Sequence, residues 1–205
     1  MPTGVAIRGV RARLFDAAER VLRDDGPSAL TSRAVTDAAG CAKGVLHRHF
    51  ADFDGFLAEF VRDRAERINP TAAALRASAG TATVLDNLTG ALIDVFSSPV
   101  TTSIVSMIIF RDELRNRLRS TGTSRHWPTG VPVLTEAAAM IAGYLTVERD
   151  AGRIAADADI DALAATLLGA AHLFFADHTS ARPDAAAVRA IVATVIAGVT
   201  REPRD

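Results

Sequence analysis

The sequence contains one cysteine, Cys41, which excludes an intramolecular disulfide framework and suits a reducing compartment. Aromatic residues are 5% of the chain, with one tryptophan and one tyrosine, so any core must be mainly aliphatic. Lysine is nearly absent: Lys43 stands against twenty-two arginines. Long apolar runs are missing too. The longest charge-free stretch, residues 95–110, is broken by Ser97, Ser98, Pro99, Thr101, Thr102 and Ser103, and is too short and polar to span a bilayer. Residues 1–13 carry no apolar segment followed by a small-residue cleavage site. A cytoplasmic chain without a membrane partner is therefore expected.

Motifs of catalysis are missing as well. There is no phosphate-cradling glycine loop, HExxH, CxxC or Gly-x-Ser-x-Gly. His172 and His178 are six residues apart, which does not place them on one helical face as a metal pair, and Glu136 and Glu148 have no obvious partner. No catalytic residue, metal ligand or cofactor is assigned, and a helical enzyme is disfavoured.

What is present points to helix. Apolar residues make up 49% of the chain, and alanine, the best helix former, dominates from Ala137 onward. The formal net charge is −1, but it is unevenly spread: residues 1–50 hold eight basic and five acidic side chains, the remainder fifteen and nineteen. A basic amino-terminal headpiece on an acidic body has this signature.

Helical spacing of Val10, Leu14, Ala17, Ala18, Val21 and Leu22 predicts a first helix over residues 8–24, stopped by Gly26-Pro27. Two short helices follow: residues 32–39 with Thr31 as N-cap, and 43–49 after a turn at Gly40. Asp52 caps a fourth, whose stripe of Phe53, Phe56, Leu57, Phe60, Val61, Ala65 and Ile68 runs to an end or kink at Pro70. Further helices are expected over 82–96, 99–120, 131–151, 159–178 and 184–201, with a loop at 121–130. The result is an all-α chain of about nine helices, with a boundary near residue 52.

Helices of about seven residues are not stable alone in water, so the second and third must pack on the first. Val35, Ala38, Ala39, Cys41 and Leu46 supply small apolar contacts for that crossing, and Gly40 sits where the chain reverses. Cys41 reads as a small core residue rather than a redox switch. This is the helix-turn-helix plan, in which the second of the two helices enters the DNA major groove. Thr31 and Ser32 present hydroxyls for phosphate at a helix start, and Arg33 reaches a phosphate or a guanine edge. Lys43 stands where side chains meet base edges, Gly44 permits close approach, and His47, Arg48 and His49 line the next turn. Two plainer readings stay open: Arg33 and Arg48 as solvated surface charges, and His49 packed beside Phe50.

The run LTSRAVTDAAGCAKGVLHRHFADFDGFL, within residues 11–61, resembles the headpiece of the tetracycline-repressor (TetR) family. The resemblance implies an N-terminal three-helix DNA-binding domain, residues 1–52, and a larger C-terminal domain for ligand sensing and dimerisation, residues 53–205. It makes Ser32, Arg33, Lys43, His47 and His49 the usual DNA-contact positions. Two positions depart from the family pattern: His47 stands where tyrosine is usual, and Phe53, followed by Asp54, where a phosphate-facing lysine is usual.

The last two expected helices are rich in apolar residues: Leu163, Leu167, Leu168, Leu173, Phe174 and Phe175 on one, Ile191, Val192, Val195, Ile196 and Val199 on the other. Such surfaces need burial, in an intramolecular core or, as the resemblance favours, a four-helix bundle between two copies. The interface is assigned to Leu163, Leu167, Phe174, Ile191, Val195 and Val199. The resemblance also implies an effector cavity among the middle helices. Its candidate lining is Phe96, Met107, Phe110, Trp127, Met140, Tyr144, His172 and Phe175, a set suited to an apolar organic ligand, although ordinary core packing explains each singly. His126-Trp127 is either a pocket lid or an anchor for its loop. Arg111, Arg115 and Arg119 form a stripe with Glu113 placed to pair with Arg117, read as a solvated face in preference to a second nucleic-acid surface. The expected function is a transcriptional regulator, most simply a repressor released from a palindromic double-stranded DNA operator by a small effector. An activator, or an architectural DNA-binding module, is the alternative.

Overall fold

A computed structural model describes residues 4–96, 98–109, 111–120, 131–177 and 184–201. Among these are eleven α-helices and one 3-10 turn, and no strand; a single isolated antiparallel bridge joins Ile154 to Thr200. The helices are α1 Gly4–Asp24, α2 Ser32–Ala38, α3 Gly44–His49, α4 Phe53–Glu66, α5 Asn69–Ala77, α6 Val84–Phe96, α7 Pro99–Ile109, α8 Asp112–Ser120, α9 Pro132–Asp150, α10 Ile160–Asp177 and α11 Ala185–Ile196. No single helix among the described residues is long and apolar enough to cross a membrane.

The all-α expectation holds, with two differences in detail. Pro70 neither ends nor kinks a longer fourth helix: α4 stops at Glu66, and Pro70 occupies the first turn of α5. An N–H missing from a helix's first turn costs nothing, so proline starts a helix as readily as it stops one. The segment 99–120 is two helices rather than one, α7 and α8.

Packing divides the chain into two units: Met1–Arg64 with Ser103–Pro132, and Ala65–Thr102 with Val133–Asp205. In the first, α1 packs on α2 and α2 on α3. The α1 stripe is buried from Leu14 onward, with Leu14, Ala17 and Ala18 sealed from solvent and Val21 and Leu22 nearly so, while Val10 at its start is half-buried. Phe15 joins them, and its ring lies 5.9 Å from Phe50, 5.7 Å from Phe56 and 6.0 Å from Phe60. This phenylalanine cluster is the hub on which α1, the end of α3 and α4 converge. Offset and edge contacts of that kind stabilise beyond the area they bury.

In the second unit α6 packs against α11, α10 and α5, and α10 against α11. Its polar centre is Glu148, 0% exposed. This residue does have a partner: Arg153 donates to it from Nε at 2.7 Å and Nη2 at 2.5 Å. The two are joined across the carboxyl end of α9, where Gly152 at φ 77° reverses the chain and Arg153 N–H returns to the Glu148 carbonyl at 2.9 Å. Glycine takes that left-handed conformation without strain. Asn87 donates to the Tyr144 hydroxyl at 3.0 Å, and burial, then Glu148 beside it, holds that phenol well above the ordinary tyrosine range.

Candidate nucleic-acid interface

Each DNA-contact candidate is placed by the packing of α2 and α3. Thr31 is extended (φ −126°, ψ 160°) and caps α2, its Oγ1 accepting the Ala34 N–H at 3.1 Å. Its hydroxyl hydrogen thus remains for another acceptor. At the other end of α2 the Gly40 N–H bonds the Asp37 carbonyl and the Cys41 N–H the Thr36 carbonyl, both at 3.0 Å. Gly40 at φ 61° is the residue that permits this paired closure, and so sets the angle between α2 and α3. Cys41 is half-buried. Leu46 and Val35, both 0% exposed, anchor the two helices to the core.

On the outside, Arg33 is 86% exposed and 3.6 Å from Asp37, one turn along α2. Ser32 is half-buried and its hydroxyl oxygen, shielded from solvent, has no hydrogen-bond partner. Lys43 is exposed and occupies the N-cap position of α3 without capping it. Gly44, the first residue of α3, is exposed, and a Cβ added there would meet nothing within 4 Å. Nothing among the described residues requires glycine at that point, which fits close approach by an outside group. His47 and Arg48 are exposed and His49 is half-buried; all three lie in the last turn of α3, where positive charge suits the helix dipole.

Sequence reading missed the arginines that hold these helices from behind. Arg20 on α1 donates to the Ala38 carbonyl, the last of α2, at 2.7 Å. Arg11, also on α1, donates to the His49 carbonyl at 3.1 Å, pairs with Glu59, and lies 4.4 Å from the Phe50 ring centroid. One arginine of α1 thus satisfies the carboxyl end of α2 and another that of α3. Arg64, only 6% exposed, pairs with Asp16, Glu19 and Asp63 and covers the Phe60 ring at 5.1 Å. The only advance signal was that these arginines fall among apolar positions.

Asp52 caps α4 as expected, accepting the Gly55 N–H at 2.6 Å. It also receives both arms of the Arg117 guanidinium, from Nη1 at 2.8 Å and Nη2 at 3.0 Å. The Gly55 N–H, then Arg117, hold its carboxyl below the usual aspartate range. Arg117, expected to pair with Glu113 on its own helix, directs its fork across the unit to Asp52, with Glu113 near enough to favour its charge as well. Beside it, Arg111 lies 3.5 Å from Asp54 and 5.9 Å from the ring centroid of Phe53. Arg115 pairs with Asp112 and donates to the Ile109 carbonyl at 2.8 Å.

Of the effector candidates, Phe96, Tyr144, Met140 and Phe175 are buried in the second unit. Phe96 stacks on Phe175 at 5.3 Å and lies 6.2 Å from His172. His172 is half-buried with its Nδ1 unpartnered, and burial pushes its pKa down. Met107 is buried in the first unit. Phe110, His126, Trp127 and His178 lie outside the described residues. Among the interface candidates, Leu167 is fully buried within the chain, whereas Leu163, Phe174, Ile191, Val195 and Val199 are half-buried. Leu173, on α10 with Leu163 and Phe174, is 74% exposed.

Together α1, α2 and α3 have the arrangement of a helix-turn-helix headpiece, with Arg33, Lys43, His47 and Arg48 exposed on it. Residues 14–60 match the family described as bacterial regulatory proteins, tetR family. The fold extends the likeness along the whole chain. A TetR transcriptional regulator from Agrobacterium tumefaciens superposes with a TM-score of 0.62 at 20% identity, over 95% of this chain and 96% of that one. The fatty acid degradation regulator FadR from Bacillus halodurans gives 0.68 at 14% identity, over 92% and 95%. SmeT, the repressor of the Stenotrophomonas maltophilia multidrug efflux pump SmeDEF, gives 0.61 at 18% identity, over 94% and 91%. No curated protein matches the sequence.

Proposed function

We propose that this protein is a transcriptional regulator of the tetR family, a homodimeric cytoplasmic repressor that binds a palindromic operator and is released by a small, largely apolar effector. The observation that carries the reading is the outward face of α2 and α3. Arg33, Lys43, His47 and Arg48 are exposed there, on a headpiece fixed by its own capping and by α1. DNA binding belongs to residues 1–52, with sensing and dimerisation in residues 53–205. Thr31, Ser32, Lys43 and His49 position the protein on phosphates and bases, with Arg33 and Arg48 beside them and Gly44 allowing close contact.

One headpiece reads few base pairs, so two-fold pairing is required for a specific site. The exposed Leu173 and half-buried Leu163, Phe174, Ile191, Val195 and Val199 support pairing through α10 and α11. The stacked Phe96 and Phe175, with His172 beside them, support an aromatic-friendly effector site. To release DNA, an effector must bind the DNA-incompetent arrangement more tightly.

Selection of duplex DNA from a random pool tests the reading. A palindrome is expected, lost or relaxed in Arg33→Ala and Lys43→Ala. Salt-sensitive binding without sequence preference, unchanged in both variants, overturns it. Sedimentation of Leu173→Glu tests the dimer: a shift to monomer is expected, and an unaltered dimer refutes pairing through this face.

A further inference from the structure

We propose that α8 belongs to the DNA-docking machinery, with Arg117 and Arg111 acting as positioning residues that cancel the negative charge at the start of α4. The inference rests on the DNA-binding reading above and extends it to residues that no part of that reading uses.

The start of α4 carries Asp52 as its cap and Asp54 in its first turn, with no basic residue beside them in the sequence. Asp52 follows His49 by three residues, so at most about 11 Å of chain separates it from the recognition turn. That is comparable with the Debye length of about 10 Å at 0.1 M salt. Two bare carboxylates at that distance would repel the phosphates that α2 and α3 are shaped to meet. Arg117 of α8 and Arg111, the residue just before that helix, remove this field. Arg117 grips both oxygens of Asp52 at 2.8 and 3.0 Å, and Arg111 stands 3.5 Å from Asp54 with its guanidinium above Phe53. Gly55 leaves room for the fork: a Cβ there would sit 3.2 Å from Arg117 Nη1 and 3.2 Å from Asp52 Oδ1. Planar two-point pairing of this kind fixes orientation as well as charge. Both arginines stand 57 or more residues from the carboxylates they neutralise. The recognition surface is therefore electrostatically complete only with α8 in place.

The test uses the full chain and a random-sequence duplex, whose binding is set by charge alone. Arg117→Ala leaves Asp52 bare, and weaker binding by about three- to tenfold is expected at about 50 mM salt, the deficit fading as salt rises. Asp52→Asn keeps the cap, since asparagine caps as well as aspartate, and should bind more tightly than wild type. The double variant Asp52→Asn/Arg117→Ala restores local neutrality and should bind as wild type does. A deficit equal at all salt concentrations, or a double variant as weak as Arg117→Ala, overturns the proposal, because Arg117 then acts through shape or by touching DNA itself. If Arg33→Ala weakens binding while Arg117→Ala does not, the clamp alone fails. If the wild-type chain binds no duplex, the DNA-binding reading fails and takes the clamp with it. Thermal unfolding of each variant separates these outcomes from loss of fold.

Discussion

Removing Arg153 should cost this protein far more than a surface ion pair does. Glu148 is 0% exposed and takes two charge-assisted bonds from Arg153, whose side chain is 17% exposed. Arg153 also donates to the Ala82 carbonyl at 2.7 Å, ahead of α6. In Arg153→Met the aliphatic stem is kept but the carboxylate is left buried without its cation, a change worth about 3–5 kcal/mol. Glu148→Gln removes the charge and keeps hydrogen-bonding atoms, so it should cost less, about 1–3 kcal/mol. If the loss in Arg153→Met comes from the stranded charge, Glu148→Gln/Arg153→Met must be more stable than Arg153→Met alone. For a chain of this length the Arg153→Met loss corresponds to a fall in midpoint of about 6–20 °C, at roughly 2–4 °C per kcal/mol. Urea unfolding of the four proteins at one concentration measures all three differences. A single Arg153→Met penalty below about 1 kcal/mol, the range of exposed pairs, refutes the reasoning.

Gly40→Ala should destabilise by about 1–2 kcal/mol through backbone strain alone, because φ is 61° and a Cβ would meet no atom within 4 Å. Chemical denaturation checks it, and a neutral result would mean that the turn relaxes. Gly44→Ala, on ordinary helical backbone with the same open space, should be neutral or slightly stabilising yet weaken DNA binding; unchanged affinity would remove the close-approach role. Phe56→Ala, at 0% exposure in the middle of the phenylalanine cluster, should cost about 3–5 kcal/mol by the same assay. The pKa of His172 is lowered by burial, so the unfolded chain binds its proton first as pH falls below about 6.5. Stability should therefore decline from there toward the folded-state value, and His172→Phe should flatten that slope. An identical slope in the variant would assign it elsewhere.

Where the sequence was legible, the cause was local. Leu14, Ala17, Ala18, Val21 and Leu22 share one face because a helix repeats every 3.6 residues, and all five are buried. Thr31, Asp52 and Gly40 act within a few residues of themselves, so their caps and turn were readable in advance. What escaped was set by distance along the chain or by ambiguous punctuation. Arg117 and Asp52 are 65 residues apart, and no periodicity links them. Glu148 and Arg153 meet only because Gly152 turns the chain between them, a spacing that helical rules assign to different faces. Pro70 carries the same chemistry whether it ends one helix or begins the next.

The return of residues 103–120 to the amino-terminal unit has a consequence for how this protein is made. That unit is not one stretch of chain: α4 emerges early, but the arginines that close over its first turn follow only after α5 and α6 have been synthesised. A growing chain therefore carries an unfinished headpiece, its Asp52 and Asp54 unpaired by Arg117 and Arg111, until the ribosome has passed residue 117. Transplanting the headpiece onto another body likewise demands three junctions, after residues 64, 102 and 132, instead of one.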